Sequence, residues 1–512
     1  MNFNKKLAVA VSGAVLLMAG QVALADSATD IVDALVSKGV LTEEEGKLIT
    51  KGHTSKTSVT PVVKEKDGAF TLESASGRNS IQLTGRMHLD YRDSSIDGSL
   101  GGGRTDDRDT ASLADQFELR RARLGVKGKF ANDFKYEIVG NLPGTATIDV
   151  AYLDFAKYEQ VQLRVGKFKQ PFGLEELISS NNITMMERSY LDQTVPGKKI
   201  GFQVMGAPTK GMTYAGSVFQ QNDVELNINA DGKNSAAGRA TLNFAEIMGN
   251  KEMVMHVGIA GLTSNYAIGT ASSSQTDTNY ATTTGAIQQR GTINSFRSAG
   301  RGLANAFRGQ VGGEACSTTV ASGATTGVLC ASEFGASVEQ RAYGLEGIIA
   351  SGPFKLMGEY SAGDYKAQQQ ANSTKYDTKT YYLEAGYFIT GEKYADSYKN
   401  GVFSSFKPKN EFDIDKGQWG AIELAFRAEG YDVDNATFTG SGGRIQGSTR
   451  GAEAGAKTYT AGIRWILNPN LILKANYAQT NFDYAFAPID VTSATAVVDK
   501  ERMMMFRTQY MF

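Results

Sequence analysis

The sequence predicts an all-β chain, a transmembrane antiparallel β-barrel of about 16 strands preceded by a short helical segment. Three observations predict this fold. The N-terminus has the layout of a secretory signal, apolar and polar residues alternate from residue 81 onward, and the chain ends on an aromatic strand. The 57 glycines and only 9 prolines favour long hydrogen-bonded strands, because proline removes a backbone donor. After the N-terminus, no apolar run approaches the length of a membrane-spanning helix.

The first residues indicate export. Lys5 and Lys6 precede an apolar run, and residues 23–25 (Ala-Leu-Ala) form a small-residue cleavage site. Residues 1–25 are therefore predicted to be a signal peptide cleaved after Ala25, with an uncleaved anchor as the alternative. Cleavage removes two of 53 basic residues and none of 54 acidic ones, so the formal charge becomes 51 − 54 = −3. This total excludes little for a pore, because the charge on the lumen wall decides which ions pass. No nucleic-acid partner is predicted.

A short helical periplasmic segment is predicted for residues 26–54, followed by a polar linker over residues 55–80. Thr42 precedes three glutamates, which is typical of a helix N-cap with acids in the first turn. Gly39 divides the segment into two short helices. They are too small to form a core alone, so an oligomerising appendage and a simple spacer both remain open.

Residues 81–512 are predicted to form the barrel. In residues 81–92 the apolar side chains fall on one face and the polar ones on the other, and later segments repeat this alternation. Tight turns alternate with long polar loops, which indicates short periplasmic turns and long extracellular loops. The predicted strands, each about ten residues long, start near residues 81, 116, 134, 148, 161, 199, 212, 236, 252, 338, 354, 378, 418, 457, 471 and 501.

The last predicted strand indicates the cellular location of the protein. Met504, Phe506, Tyr510 and Phe512 alternate, and the chain ends on Phe512. A terminal aromatic on such a strand resembles the signal read by the outer-membrane assembly machinery. The predicted location is the outer membrane of a Gram-negative cell, with that machinery, membrane lipid and lipopolysaccharide as partners.

The second face of each strand should line the interior, which in a barrel of about 16 strands holds water. Cations on that face outnumber acids, and lysine and arginine rings favour anions. The alternative is a mixed wall with mild selectivity, because a one-residue slip in register would exchange the two faces. The predicted lumen cations are Arg86, Arg121, Arg123, Lys127, Lys129, Arg164, Arg427 and Arg464.

Two blocks of sequence resemble a known family. The first reads RRARLGVKG over residues 120–128 and VGKFKQPFGLE over residues 165–175. The second reads TGEKY over residues 390–394 and GQWGAIELAFR over residues 417–427. Both resemble the phosphate-selective porin O and P family, and the resemblance extends over roughly residues 80–512.

That resemblance implies a trimeric porin whose third extracellular loop folds into the barrel and narrows it. Here the loop would be residues 169–197, and the cations at its constriction would be Lys167, Lys169 and Arg188. The implied cargo is a small anion such as phosphate or polyphosphate. An anion at this point would exchange its hydration shell for charge-assisted hydrogen bonds.

Acids in the same loop leave its effect open. Glu175, Glu176, Glu187 and Asp192 lie among the proposed cations. If they face the lumen, they oppose the passage of phosphate. If they pair with wall arginines, they brace the loop instead.

Other functions are less favoured by the residues present. The chain has only three histidines, His53, His88 and His256, and no pattern of catalytic or metal-binding side chains, so no enzyme, cofactor or metal is predicted. A general diffusion porin with weak anion preference and a plugged structural or adhesive barrel remain as alternatives. Cys316 and Cys330 lie in a polar loop and are predicted to form a disulfide in an oxidising compartment.

Overall fold

A computed structural model gives the conformation of most of the chain. It describes residues 32, 35–38, 40–49, 60–66, 68–99, 116–221, 233–268, 286–303, 306–317, 336–369, 371–440, 443–446, 453–486 and 497–512. The predicted signal peptide and the predicted Cys316–Cys330 disulfide lie outside what is described. Among the described residues, no helix is long and apolar enough to cross a membrane.

The chain divides into two compact units. The first comprises residues 1–84 and 126–136. It contains the hairpin of β1 (Val62–Lys66) and β2 (Ala69–Glu73), and β2 pairs with the first residues of β3 (Ser80–Ser99). Residues 43–49 are helical, and the Glu45 N–H donates to the Thr42 hydroxyl over 3.2 Å, as expected for an N-cap.

The second unit, residues 85–125 and 137–512, is a closed antiparallel barrel of 16 strands. The last strand pairs with β3 from Val497↔Ser99 to Met511↔Arg86 and so closes the sheet. This confirms the predicted fold class. After β3 the barrel strands are β4 (Gln116–Phe130), β5 (Phe134–Asn141), β6 (Thr147–Phe155), β7 (Gln162–Lys169), β8 (Lys198–Gly206), β9 (Met212–Gln220), β10 (Ser235–Asn243), β11 (Met253–Ile268), β14 (Ala336–Ser351), β15 (Phe354–Gln369), β16 (Asn372–Phe388), β19 (Ala421–Thr439), β21 (Ala454–Ile466), β22 (Leu471–Phe486) and β23 (Val497–Met511).

The smaller elements lie in the connections. They are α1 (Leu174–Leu177), α2 (Phe244–Ile247), three 3-10 turns (Tyr190–Gln193, Ala299–Arg301 and Tyr394–Ser397), β12 (Ala286–Phe296), β13 (Phe307–Ser317), β17 (Tyr398–Lys399), β18 (Val402–Phe403) and β20 (Arg444–Gln446). All predicted strand starts lie near observed ones. The largest difference is at the strand expected near residue 378, which begins at Asn372.

The barrel is apolar outside and polar inside, as the alternation predicts. On β3, His88 and Asp90 are fully buried, whereas Met87 and Leu89 are 42% and 43% exposed. The same holds on β19, where Arg427 is buried and Phe426 is 50% exposed. Exposed apolar residues on a barrel exterior are the face that meets lipid.

The predicted asymmetry of turns and loops is wrong at two connections. The β15–β16 connection is a tight turn at the end where long loops were expected, and residues 389–420 form a long connection at the end of the short turns. The reason is that residues 389–420 pack into the barrel mouth, with Tyr394 fully buried and Phe403 only 3% exposed.

Closure of the barrel depends on Gly85. Its backbone N–H and carbonyl pair with Phe512 over 3.0 and 3.1 Å. A Cβ atom on Gly85 would overlap the Phe512 ring. The terminal aromatic therefore packs in space that only glycine leaves free.

We expect Gly85→Val to displace the Phe512 ring and destabilise the folded barrel by about 1–3 kcal/mol. The measurement is the temperature at which the barrel loses its compact mobility in detergent electrophoresis. Gly216→Val on β9 is the control, because nothing lies within 4 Å of a Cβ there. Equal melting of both variants would contradict the role assigned to Gly85.

Candidate permeation path

The connection between β7 and β8, residues 170–197, folds into the barrel lumen. Its apolar residues Leu174, Met186 and Tyr190 are all buried to 1% exposure or less. Such a segment needs partners for its backbone groups, and the polar wall supplies them. We call residues 170–197 the constriction loop.

Wall side chains hold the constriction loop at both of its short helical turns. The N–H groups of Leu174 and Glu175 donate to the Glu359 carboxylate over 2.6 and 2.7 Å. The Tyr190 N–H donates to Glu429 over 2.9 Å. Between them the Met186 N–H donates to Asn476, the Lys474 ammonium donates to the Ile183 carbonyl, and the Arg464 guanidinium donates to the Asn182 carbonyl.

Arg427 ties the loop to two strands at once. Its guanidinium pairs with Glu175 of the loop and, over 2.8 Å, with Glu384 of β16. All three side chains are at most 1% exposed. Arg427 is therefore a structural anchor with no access to passing ions.

Glu187 is the second anchor. It accepts from Arg120 over 2.9 Å, from Arg507 over 2.8 Å and from Arg92 over 3.1 Å, and Arg121 lies 3.7 Å away. Arg120 and Arg121 are neighbours, yet both reach the same carboxylate, so strict alternation of faces does not hold at this point. Sequence reasoning from alternation missed Arg120 for this reason.

The open question about the loop acids is therefore answered by their partners. Glu176 pairs with Arg188 over 2.8 Å, and Asp192 lies 3.6 Å from the same guanidinium. Glu175 and Glu187 are held by the anchors already described. All four acids brace the loop.

Burial and charge act in opposite directions on Glu187. Burial alone would raise its pKa, but Arg121, Arg507 and Arg120 outweigh burial and hold the pKa of Glu187 well below its usual range. Burial also opposes ionisation of Glu176, and Arg188 with other cations lowers the pKa of Glu176 to about 2.

These shifts predict that the ion pairs of Glu187 and Glu176 resist acid. A carboxylate with a depressed folded-state pKa stabilises the fold above its unfolded pKa of about 4.3, and this is lost only as pH falls through the folded value. We expect both carboxylates to stay ionised from pH 7 to about 4 and to be protonated only towards pH 2. Protonation of either group near pH 5, measured by infrared difference spectroscopy against Glu187→Gln and Glu176→Gln, would contradict the anchoring by these two residues.

Two other connections also enter the lumen. In the connection between β11 and β14, Phe296 and Phe307 are fully buried, and their rings lie 4.7 Å from Tyr431 and 5.6 Å from Tyr376. At its tip, the Arg297 backbone exchanges two hydrogen bonds with the Gln193 side chain, over 2.7 and 3.0 Å. This connection and the constriction loop therefore lock together.

The third insertion comes from residues 389–420. The Phe406 ring packs 4.6 Å from the Arg464 guanidinium. The Gly401 carbonyl accepts from Arg239 over 2.8 Å, and the Tyr398 hydroxyl contacts His256 over 2.7 Å. This segment fills part of the lumen near the end that holds the chain terminus.

Several cations keep part of their side chain open to the lumen. Arg86 is half-buried, and its guanidinium donates only to the hydroxyls of Ser179 and Ser180, over 3.4 and 3.0 Å. Among the described residues it has no carboxylate within salt-bridge distance. The others, with side-chain exposures of 12–32%, are Arg120, Arg123, Arg164, Arg188, Lys198 and Arg301.

Few carboxylates lie beside these lumen-exposed cations. Arg123 and Lys198 share Asp149, over 2.9 and 2.5 Å. Arg164 is fully matched by Asp154 and stacks 3.9 Å above the Tyr152 ring. The surplus of positive charge therefore lies around Arg86, Arg123 and Lys198.

The predicted path residues other than Lys167 fall into four groups. Arg86, Arg123, Arg164 and Arg188 keep access to the lumen, whereas Arg121, Arg427 and Arg464 are buried in the anchoring of the loop. Lys169 donates to the Ile178 carbonyl over 2.9 Å and so supports the loop from beneath. Lys127 and Lys129 belong to the first compact unit.

The expectation that Lys167 lies at the constriction is wrong. On β7, Lys167 lies on the same face as Leu163 and Val165, which are 38% and 54% exposed on the outer face. Its partner on β8 is Ile200, also 38% exposed. The pleat of the strand therefore directs Lys167 outward. Lys198 and Arg301, which were also not predicted from the sequence, lie at the start of β8 and in a 3-10 turn, where alternation gives no guide.

A closed 16-stranded barrel with an apolar exterior and a loop folded into a charged lumen defines an outer-membrane porin. The family model described as phosphate-selective porin O and P matches residues 81–323 and 322–512. The chain belongs to this family, which confirms the predicted resemblance and the outer-membrane location.

Individual proteins are similar to this chain to different degrees. Porin O of Pseudomonas aeruginosa is 26% identical over 433 residues, which cover 82% of this chain and 87% of that protein. Among solved structures, OmpT of Vibrio cholerae is 10% identical with a TM-score of 0.47, and it covers 88% of this chain and 100% of its own. The anion-selective porin of Comamonas acidovorans is 11% identical with a TM-score of 0.43, and it covers 85% of this chain and 100% of its own.

Proposed function

We propose that this porin carries small anions, phosphate or polyphosphate among them, through the lumen beside the constriction loop. The observation that carries the proposal is Arg86, a half-buried lumen arginine with hydroxyl partners only among the described residues. A guanidinium without a carboxylate leaves positive charge available to a passing anion.

The cations near Arg86 also favour the passage of anions over cations. Arg123 and Lys198 present two positive charges to one carboxylate, Asp149. Planar guanidinium groups suit phosphate oxygens, because they donate two parallel hydrogen bonds. The anion would exchange water for these donors one after another.

The ion pairs that the lumen cations already form keep anion binding weak enough for release. Arg188 is held by Glu176 and by the Glu175 carbonyl, so it offers an anion only part of its donor capacity. Fast conduction requires sites that bind an ion and release it quickly. The paired cations therefore favour throughput over tight capture.

A general diffusion porin with weak anion preference is the second candidate. The observation in its favour is that Asp149, Glu176 and Asp192 lie beside the open cations. These carboxylates reduce the net field that an ion experiences.

The assembled form is also a proposal. We infer a homotrimer, as the family resemblance implies, exported with its signal peptide and inserted by the outer-membrane assembly machinery through the strand that ends at Phe512. The Phe512 ring beside Gly85 at the closing seam supports a role for this residue in assembly.

The decisive experiment is a reversal-potential measurement in planar bilayers under a KCl gradient, repeated with added phosphate. We expect an anion-selective current that phosphate blocks at about millimolar concentration, corresponding to a binding free energy of about −4 kcal/mol. Current without anion preference or block would leave the general porin. Absence of current would contradict a channel function and favour a plugged barrel.

A further inference from the structure

A group of methionines lies inside the polar lumen, on the inner face of the last strand. Met503 and Met505 lie two residues apart on β23, are 3% and 2% exposed, and pack with the fully buried Met186 of the constriction loop. The flanking buried positions on the same face of β23 are charged, Glu501 on one side and Arg507 on the other. The lumen wall therefore carries two oxidisable sulfur atoms between charged side chains.

The 3-10 turn Ala299–Arg301, at the tip of the connection between β11 and β14, packs directly on these sulfur atoms. We call residues 299–301 the tip turn. A Cβ atom on Gly300 would lie 2.6 Å from the Met505 sulfur and 2.9 Å from the Met503 sulfur, far inside van der Waals contact. A further heavy atom between Gly300 and either sulfur atom therefore has no room, and it would push the tip turn away from β23.

The tip turn is strained and partly open to the lumen. Arg301 has a φ of 65°, a left-handed conformation that is unfavourable for a residue with a Cβ atom. Its guanidinium pairs with Glu118 over 3.0 Å, and the two side chains are 32% and 30% exposed. An ion pair this exposed contributes little to stability. A small solute in the lumen therefore comes within one residue of Gly300, and the tip turn is weakly held on that side.

A buried donor without an acceptor lies beside Met505. Arg92 of β3 is directly opposite Met505 in the register of β3 with β23, and it is only 4% exposed. Its terminal nitrogens pair with Asp90 over 2.7 Å and with Glu187 over 3.1 Å, but among the described residues its Nε–H has no hydrogen-bond partner. A thioether sulfur is a weak acceptor, whereas oxidation to the sulfoxide makes the side chain polar. A sulfoxide oxygen on Met505 would therefore satisfy a donor that the reduced protein leaves unpaired.

We propose that Met503 and Met505 are an oxidation site that narrows the pore when a hydroperoxide enters the lumen. A sulfur lone pair attacks one oxygen of hydrogen peroxide, the O–O bond breaks and an S–O bond forms. The other oxygen leaves as water with both protons, so that sulfur loses two electrons and the peroxide gains them. The new oxygen on Met505 accepts from the Arg92 Nε–H, and the two sulfoxides displace Gly300 from the wall. The tip turn then moves into the lumen.

The test treats the folded porin in detergent with hydrogen peroxide and locates the added oxygen by peptide mass spectrometry. We expect sulfoxide at Met503 and Met505 and a loss of single-channel conductance in planar bilayers. Met503→Leu/Met505→Leu should keep its conductance after the same treatment, because leucine has a similar volume and no sulfur. The matched control is Met504→Leu on the outer face of the same strand, where Met504 is 42% exposed. This control should lose conductance as wild type does.

Different results would overturn the two parts of the proposal. Unmodified Met503 and Met505 after complete oxidation of Met504 would show that peroxide does not reach the lumen sulfur atoms. Unchanged or increased conductance of the oxidised wild type would contradict movement of the tip turn into the lumen, as would an equal loss in Met503→Leu/Met505→Leu. The single variants Met503→Leu and Met505→Leu should each retain part of the loss. Conductance is compared before and after oxidation of the same protein, so the test does not depend on which ions the pore selects.

Discussion

Replacing Arg427 with Met is expected to destabilise the porin by about 3–5 kcal/mol and to raise its single-channel conductance. The variant leaves Glu175 buried without its cation at 1% side-chain exposure, whereas Glu384 keeps its salt bridge to Lys355 over 2.8 Å. An unpaired buried carboxylate is strongly unfavourable. The constriction loop should therefore leave the wall at this point, and the pore should widen.

The measurement combines denaturant unfolding in detergent with conductance in planar bilayers. The matched control is Arg502→Met, since Arg502 pairs with Asp97 on the outer face at 37% and 47% exposure. That change should alter stability by no more than about 1 kcal/mol and leave conductance unchanged.

A double variant separates loss of charge pairing from loss of packing. Arg427→Met combined with Glu175→Met removes the carboxylate that is left unpaired, whereas Glu384 keeps Lys355 over 2.8 Å, and such replacements often restore stability. If Arg427→Met alone leaves both stability and conductance at wild-type values, Arg427 is not the anchor of the loop.

Charge reversal at Arg86 is expected to have the largest effect on selectivity. A unit charge about 8 Å from a passing ion in water changes the energy of that ion by about 0.5 kcal/mol, and Arg86→Glu changes two units. Anions and cations respond with opposite sign. The anion-to-cation permeability ratio should therefore fall by about tenfold once salt screening is included.

The reversal potential under a KCl gradient measures this ratio. Arg86→Gln should give an intermediate shift, which guards against misfolding of the reversed-charge variant. Arg502→Glu carries the same charge change on the outer face and should leave the reversal potential unchanged. An unshifted potential in Arg86→Glu would remove Arg86 from the anion path.

Much of the barrel could be predicted from the sequence because its signal is local. The pleat sends successive side chains to opposite faces, so His88 and Arg427 could be assigned to the interior and Met87 and Phe426 to the lipid from their neighbours alone. The family resemblance likewise implied that residues 169–197 fold into the barrel.

The sequence could not show which lumen arginines stay open. Arg86 and Arg427 occupy the same kind of inward position, yet Arg427 is covered by Glu175, 252 residues away in the chain, and among the described residues Arg86 donates only to serine hydroxyls. Three connections enter the lumen, and each covers side chains from distant strands.

The sequence by itself therefore determined the strands, their two faces, the membrane and the family. Tertiary structure alone decided the charges available to an ion, the inward reach of both Arg120 and Arg121, and the entry of residues 389–420 into the lumen. The physical reason is the separation along the chain of the residues involved. Alternation is a property of adjacent residues, whereas pairing in the lumen depends on loops that close over the wall from far along the chain.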